Sequence, residues 1–110
     1  MDSAASVAGS FGRYADPALV VLVSLAGGAK HGYAIVKDVE AMGGPTLRPG
    51  TLYAVLMRLE SRGFVEALEA QERRRPYRLT AAGRAALGSQ LAHLEEVART
   101  GQRRLAASVA

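Results

Sequence analysis

Hydrophobic positions along the chain fall into four stretches at helical spacing, with one stretch between them that alternates. From Ala18 to Ala26 the chain is apolar almost without a break, opened by Asp16-Pro17 and stopped by Gly27-Gly28. An aspartate before a proline is an N-cap followed by a residue preset for the first helical position, so this run reads as a nearly buried helix. After Lys30-His31-Gly32, the residues Tyr33, Ile35, Val36, Val39 and Met42 recur at helical spacing until Gly43-Gly44-Pro45 closes a second helix. Thr46-Leu47-Arg48 reads as a short extended piece, because the residue before a proline is pushed away from helical geometry.

Pro49-Gly50-Thr51 opens a third helix, and Gly63 supplies its left-handed stop. On a wheel of about 100° per residue, Leu52, Val55, Leu56 and Leu59 share one third of the circumference. Gly50, Ala54, Met57 and Ser61 lie opposite, flanked by Tyr53 on one side and by Thr51 and Arg58 on the other. One face is core; the other is small, polar and basic. Residues 64–69 and 77–79 then read as two strands around the polar tip Gln71-Glu72-Arg73-Arg74-Arg75-Pro76, with the proline expected at the tip and outside the ladder. Thr80 caps a last helix running toward Ala107, about 26 residues or roughly 40 Å long. Its apolar row is Leu87, Leu91, Leu94, Ala98, Gly101 and Leu105, which alternates steps of four and three like one face of a coiled coil. Such a row has more apolar face than a small domain covers, so Leu87, Leu91, Leu94, Ala98 and Leu105 are expected at an interface between two copies of the chain.

The predicted architecture is mainly α with a small β-hairpin wing: a winged helix-turn-helix plus a long C-terminal dimerisation helix. In this fold the third helix enters the major groove and the hairpin lies against the backbone or the minor groove. The chain divides into an N-terminal tail over residues 1–15, a winged helix-turn-helix over 16–80 and the dimerisation helix over 81–110. With 110 residues there is room for one compact domain and hardly for two. Charge sharpens the picture, because the formal net charge of +4 is unevenly spread. Residues 46–80 carry seven arginines against four glutamates, and arginine outnumbers lysine twelve to two over the whole chain. A planar guanidinium suits phosphate and guanine edges. A genome rich in G and C would also favour arginine, and 21 alanines fit that account. The residues expected to meet DNA are Lys30 at the start of the second helix, Arg48, Gly50, Thr51, Tyr53, Ala54, Met57 and Arg58 around the third, and Arg73, Arg74 and Arg75 on the wing.

Three segments, in this order, resemble the PadR-type family of bacterial transcriptional regulators. They are Lys30-His31-Gly32-Tyr33-Ala34-Ile35; Pro49-Gly50-Thr51-Leu52-Tyr53 with Leu56, Arg58-Leu59-Glu60 and Gly63; and Tyr77-Arg78-Leu79-Thr80 with Gly83. The likeness spans roughly residues 19–106 and is similar to the short subfamily, in which one C-terminal helix replaces a larger dimerisation domain. It implies a dimeric winged-helix DNA binder, usually a repressor released by a small molecule. Two copies joined along the last helix would present their third helices to successive major grooves, so an inverted-repeat operator is expected, and the small residues Ala98 and Gly101 together with the resemblance lead to the expectation of a small aromatic effector held between subunits near the first and last helices. Arg48 stands where the family usually has serine and Ala54 where it has proline, so the operator is not copied from relatives. The wing tip lacks the glycine often found there. The chain has no tryptophan, so stacking of planar ligands between tryptophans of the last helix is not carried over.

Other chemistries find little support. There is no cysteine, and the two histidines, His31 and His93, have no acidic partner at metal-ligand spacing, so neither a metal nor a cofactor is expected. The paired glycines lack the following lysine and hydroxyl residue of a phosphate-binding loop, and no nucleophile stands with a base; an enzyme is not expected. The longest apolar run, Ala18–Val23, falls short of the roughly 20 residues of a membrane span, which leads to the expectation of a soluble, cytoplasmic protein. Two other readings stay open on sequence alone: a winged helix used as a protein-interaction module, and a non-specific nucleic-acid binder.

Overall fold

The computed structural model describes residues 16–109, so the N-terminal tail expected over residues 1–15 lies outside the described residues. The elements are α1 (Pro17–Ala26), β1 (Lys30–His31), α2 (Gly32–Ala41), α3 (Pro49–Ser61), β2 (Val65–Ala67), β3 (Pro76–Leu79) and α4 (Ala81–Val109). Asp16 opens α1 as anticipated: its carboxylate accepts a hydrogen bond from Ala18 N at 2.9 Å, ahead of Pro17 at the first helical position. α1 runs through the centre of the core, where Val21 and Leu25 meet Ile35 and Val39 of α2, Leu52, Val55, Leu56 and Leu59 of α3, Val65 of β2 and Leu79 of β3. None of the described helices is long and apolar enough to cross a membrane.

The strands form an antiparallel sheet in the order β1-β3-β2, with Lys30 opposite Tyr77, His31 opposite Pro76, and Val65 opposite Leu79. Two sequence expectations are corrected here. Thr46-Leu47-Arg48 forms no strand; Leu47 is buried as a plug of the core, and the short strand is Lys30–His31 instead. Hairpin formation leaves one edge of β3 open, and the chain entering α2 runs extended for two residues and pairs with it. Pro76 also lies in the ladder rather than at the tip. As the first residue of β3 it has no N–H to contribute, but its carbonyl accepts from Leu68 N at 2.8 Å.

The tip itself is a two-residue turn. Gln71 and Arg74 exchange backbone hydrogen bonds of 2.7 and 2.8 Å, and the central residues Glu72 and Arg73 have φ of 48° and 71°. This left-handed geometry matches the twist of a tight hairpin but favours asparagine or glycine, so the chain holds two long charged side chains there at a cost of about 1 kcal/mol each.

Thr80 joins the wing to α4. Its hydroxyl donates to Gly63 O at 2.5 Å and accepts from Gly83 N at 3.0 Å, the N-cap expected from sequence. The start of α4 packs on α1 and β3, and Leu87 is buried in the protomer's own core. The exposed part of the apolar row therefore begins at Leu91 and continues through Leu94, Ala98 and Leu105, with Val97 exposed beside it.

Candidate nucleic-acid interface

α3 is anchored by Leu52, Val55, Leu56 and Leu59, all buried, and this fixes what the opposite face can offer. Gly50, Thr51, Tyr53, Ala54, Met57 and Arg58 are all exposed. Arg48 sits at the N-cap position with extended backbone and makes no side-chain capping bond, so its guanidinium and the free N–H groups of the first turn face solvent together. Tyr53 is held from behind by a glycine. A Cβ added at Gly32, the first residue of α2, would lie 2.7 Å from the Tyr53 hydroxyl and 3.1 Å from Leu52 Cδ2. The absence of a side chain at Gly32 thus lets the ring lie across the start of α2 with half its surface free.

Beside Tyr53 a cavity of about 310 Å³ opens between α2 and α3, lined by Gly32, Tyr33, Val36, Leu47, Pro49 and Leu52. Tyr33 is 65% exposed, and the Lys37 ammonium sits 5.5 Å from its ring centre, a cation–π distance. Sequence periodicity placed Tyr33 and Met42 with the core of α2; both are exposed, Tyr33 because it lies off the buried side formed by Gly32, Ile35 and Val39, and Met42 because it is the C-cap just past the last helical residue, Ala41. That displacement from the Ile35–Val39 stripe was the signal available in the sequence for Tyr33 as a surface residue beside α3. Arg62, the C-cap of α3, was also passed over; it shares with Arg58 and Asp16 a groove at the far end of the helix.

The wing arginines Arg73, Arg74 and Arg75 are exposed. Among the described residues none of the three pairs with a carboxylate, whereas Arg78 is neutralised by Glu66 across the β2–β3 pair at 3.1 Å. Arg74 reaches back to His31, its Nη1 3.2 Å from Nε2, while Nδ1 of the same ring faces Ala34 N at 3.4 Å as the cap of α2. A neutral imidazole has one acceptor nitrogen, so only one of these two contacts is a full hydrogen bond at a time. Arg74 is therefore lightly held. Burial, reinforced by Glu60 and Tyr53 and opposed by Arg75, pushes the Tyr77 hydroxyl above its usual range. Tyr77 accordingly stays neutral and takes nothing from the positive field of the wing.

Lys30 departs from its expected role. Its ammonium donates to the carbonyl of Ser24, lies 3.4 Å from Gly28 O and sits 3.8 Å from the Asp38 carboxylate. Ser24 O, in the last turn of α1, also accepts from Gly27 N, and Gly28 lies in the turn just past the helix, so the charge is spent on closing that helix end rather than held out for a phosphate.

Three helices with one reading face, a small sheet and a basic hairpin define a winged helix-turn-helix protein with an added C-terminal helix. The profile of the Transcriptional regulator PadR-like family matches residues 21–89, and the chain belongs to that family. Among solved structures it is similar to a PadR family transcription regulator from hypervirulent Clostridium difficile R20291, with a TM-score of 0.73, 23% identity and coverage of 81% of this chain and 97% of that one. RosR of H. salinarum is 31% identical over 71% of each chain, with a TM-score of 0.64. An uncharacterized 37.1 kDa protein in transposon TN4556 of Streptomyces fradiae is 47% identical over 72 residues, 66% of this chain and 21% of that protein. The chain thus spans about a fifth of that relative's length.

Proposed function

We propose that the protein is a homodimeric, sequence-specific DNA-binding regulator that represses transcription from an inverted-repeat operator. The observation that carries this reading is the exposed face Thr51-Tyr53-Ala54-Met57-Arg58, backed by four buried residues, together with exposed wing arginines that among the described residues have no carboxylate partner. A rigid helix that displays donors, a guanidinium and small apolar groups together matches what a major groove displays to a reader. Arg48 and the wing arginines hold phosphates in this scheme and set register without carrying sequence information. A protein-interaction module does not require three exposed arginines at a hairpin tip that, among the described residues, have no carboxylate partner.

The test is a salt series. A dimer using Arg48, Arg58, Arg73, Arg74 and Arg75 twice over releases on the order of 6 to 10 counterions, so log affinity should fall against log salt with a slope close to that number. A slope near zero removes DNA binding. Equal affinity for a selected operator and for random duplex at every salt concentration leaves a non-specific binder.

The response to a small aromatic effector belongs to α4. A shallow hollow of about 350 Å³ is lined by Glu96, Val97, Thr100, Gly101 and Arg104, and the missing side chain of Gly101 leaves room for a ring between subunits. Planar aromatic compounds should release the operator, read as a change in fluorescence anisotropy of labelled duplex. An operator affinity that responds to none of a broad panel would mark a regulator controlled by its abundance.

A further inference from the structure

Met57 is 70% exposed, more than any other large apolar residue described, and it stands in the middle of the face on which α3 presents its polar groups. Ala54 lies one turn earlier on the same face and is also exposed. Thr51, Ala54 and Met57 follow each other at three-residue spacing along this face, and Arg58, four residues after Ala54, borders it on the same flank as Thr51. The anchoring side chains Leu52, Val55 and Leu56 leave this row no freedom to turn inward.

From Ala54 to Met57 the row presents no N–H or O–H and only a weakly accepting thioether. In a major groove, guanine, adenine and cytosine offer polar edges that such a surface would cover without satisfying. Thymine alone adds an apolar group there, its 5-methyl. The unbranched Met57 side chain, with a polarizable sulfur and several rotors, adapts to a methyl better than a branched residue does. Arg58 supplies the paired donors that a neighbouring guanine accepts.

Building on the reading of α3 as the base-reading helix, we infer that Ala54 and Met57 select thymine through its 5-methyl group, so that each half-site holds a thymine against Met57 close to a guanine against Arg58. Deoxyuridine removes that methyl and leaves every Watson–Crick and groove hydrogen-bonding group in place.

The experiment starts by selecting bound sequences from random duplex with the full chain. Each thymine of the selected operator is then replaced by deoxyuridine in both half-sites, for wild type and for Met57→Ala. Because Met57 is exposed, this variant leaves the core untouched. A buried methyl is worth about a 4-fold change in affinity, so one symmetric pair of replacements should weaken wild-type binding by about 15-fold. Met57→Ala should bind the thymine operator as weakly as wild type binds the deoxyuridine one and lose little more on the exchange. A selected operator that tolerates deoxyuridine everywhere, or has no thymine in its half-sites, overturns the inference while leaving DNA reading by α3 intact. Sensitivity that persists undiminished in Met57→Ala overturns the assignment to this residue. If no sequence is selected at all, the proposed function falls and the thymine preference falls with it.

Discussion

Gly83→Ala is expected to cost the protein about 3 kcal/mol or more, a large part of the 5 to 15 kcal/mol that holds a domain of this size folded. A Cβ at Gly83 would lie 1.9 Å from the carbonyl oxygen of Phe64, 2.9 Å from its carbon and 3.2 Å from its Cα. All three are backbone atoms, and the backbone there has no slack. Phe64 O accepts from Thr80 N at 3.1 Å, Gly63 O accepts from the Thr80 hydroxyl, and that hydroxyl in turn caps α4 at Gly83 N. Relieving the overlap means pulling the start of α4 off the sheet and breaking the junction that aims the wing. Alanine is the better helix former by about 1 kcal/mol, which here is overwhelmed. Gly88 is the internal control. It sits one and a half turns along the same helix with nothing within 4 Å of an added Cβ, so Gly88→Ala should stabilise by about 1 kcal/mol. Urea unfolding midpoints of the two variants should move in opposite directions. A Gly83→Ala protein as stable as wild type would mean that α4 does not close against Phe64 as described.

The same junction shows what a sequence exposes and what it conceals. Asp16-Pro17, Gly63 and Thr80 mark element boundaries through local chemistry, and the structure has its helices begin and end there. The two faces of α3 were also legible, since four leucines and valines at helical spacing leave the rest of the circumference no choice. β1 was not, because two residues carry no period; its existence depends on β3 having an open edge, which is a tertiary fact. Pro76 was misplaced for a related reason: a missing N–H excludes a residue only from positions where the ladder needs a donor. Lys30 and Leu87 show the opposite problem. Each is the residue type the interface calls for, and each is consumed locally, one by the carbonyls ending α1 and the other by the core beneath α4. Residue type indicated what Arg73, Arg74 and Arg75 could bind, while only the turn geometry shows that Arg73 is held at positive φ.

Leu91→Arg combined with Leu94→Arg is expected to convert the protein from a dimer to a monomer and to lower operator affinity by two orders of magnitude or more. α4 has 29 residues, about 43 Å of helix, and its first turns alone are covered by α1 and β3. Beyond Leu87 the apolar row is open: Leu91 and Leu94 are 41% and 37% exposed, Val97 and Leu105 more so. In the proposed dimer, pairing two copies along this row would bury those side chains and set two α3 helices toward successive major grooves, about 34 to 36 Å apart. Glu95 stands one turn on from position 91 and would partly offset a single arginine there, whereas the turn after position 94 carries Val97 and Ala98, so the second arginine has no carboxylate one turn ahead of it. Burying two such charges per subunit without partners costs several kcal/mol, more than a short helix pair gains. The same substitutions cost the monomer little, because both positions are solvent-facing on its surface. Circular dichroism should therefore keep most of its helical signal while sedimentation equilibrium at micromolar concentration gives half the wild-type mass. The operator loss follows from geometry rather than from any change in α3: linking two weak heads gains 10²- to 10⁴-fold over either alone, and the monomer forfeits that gain while still binding a single half-site through Arg48, Arg58 and the wing. A double variant that remains a dimer would place the contact on another surface, and the half-site spacing would then have to be measured from there.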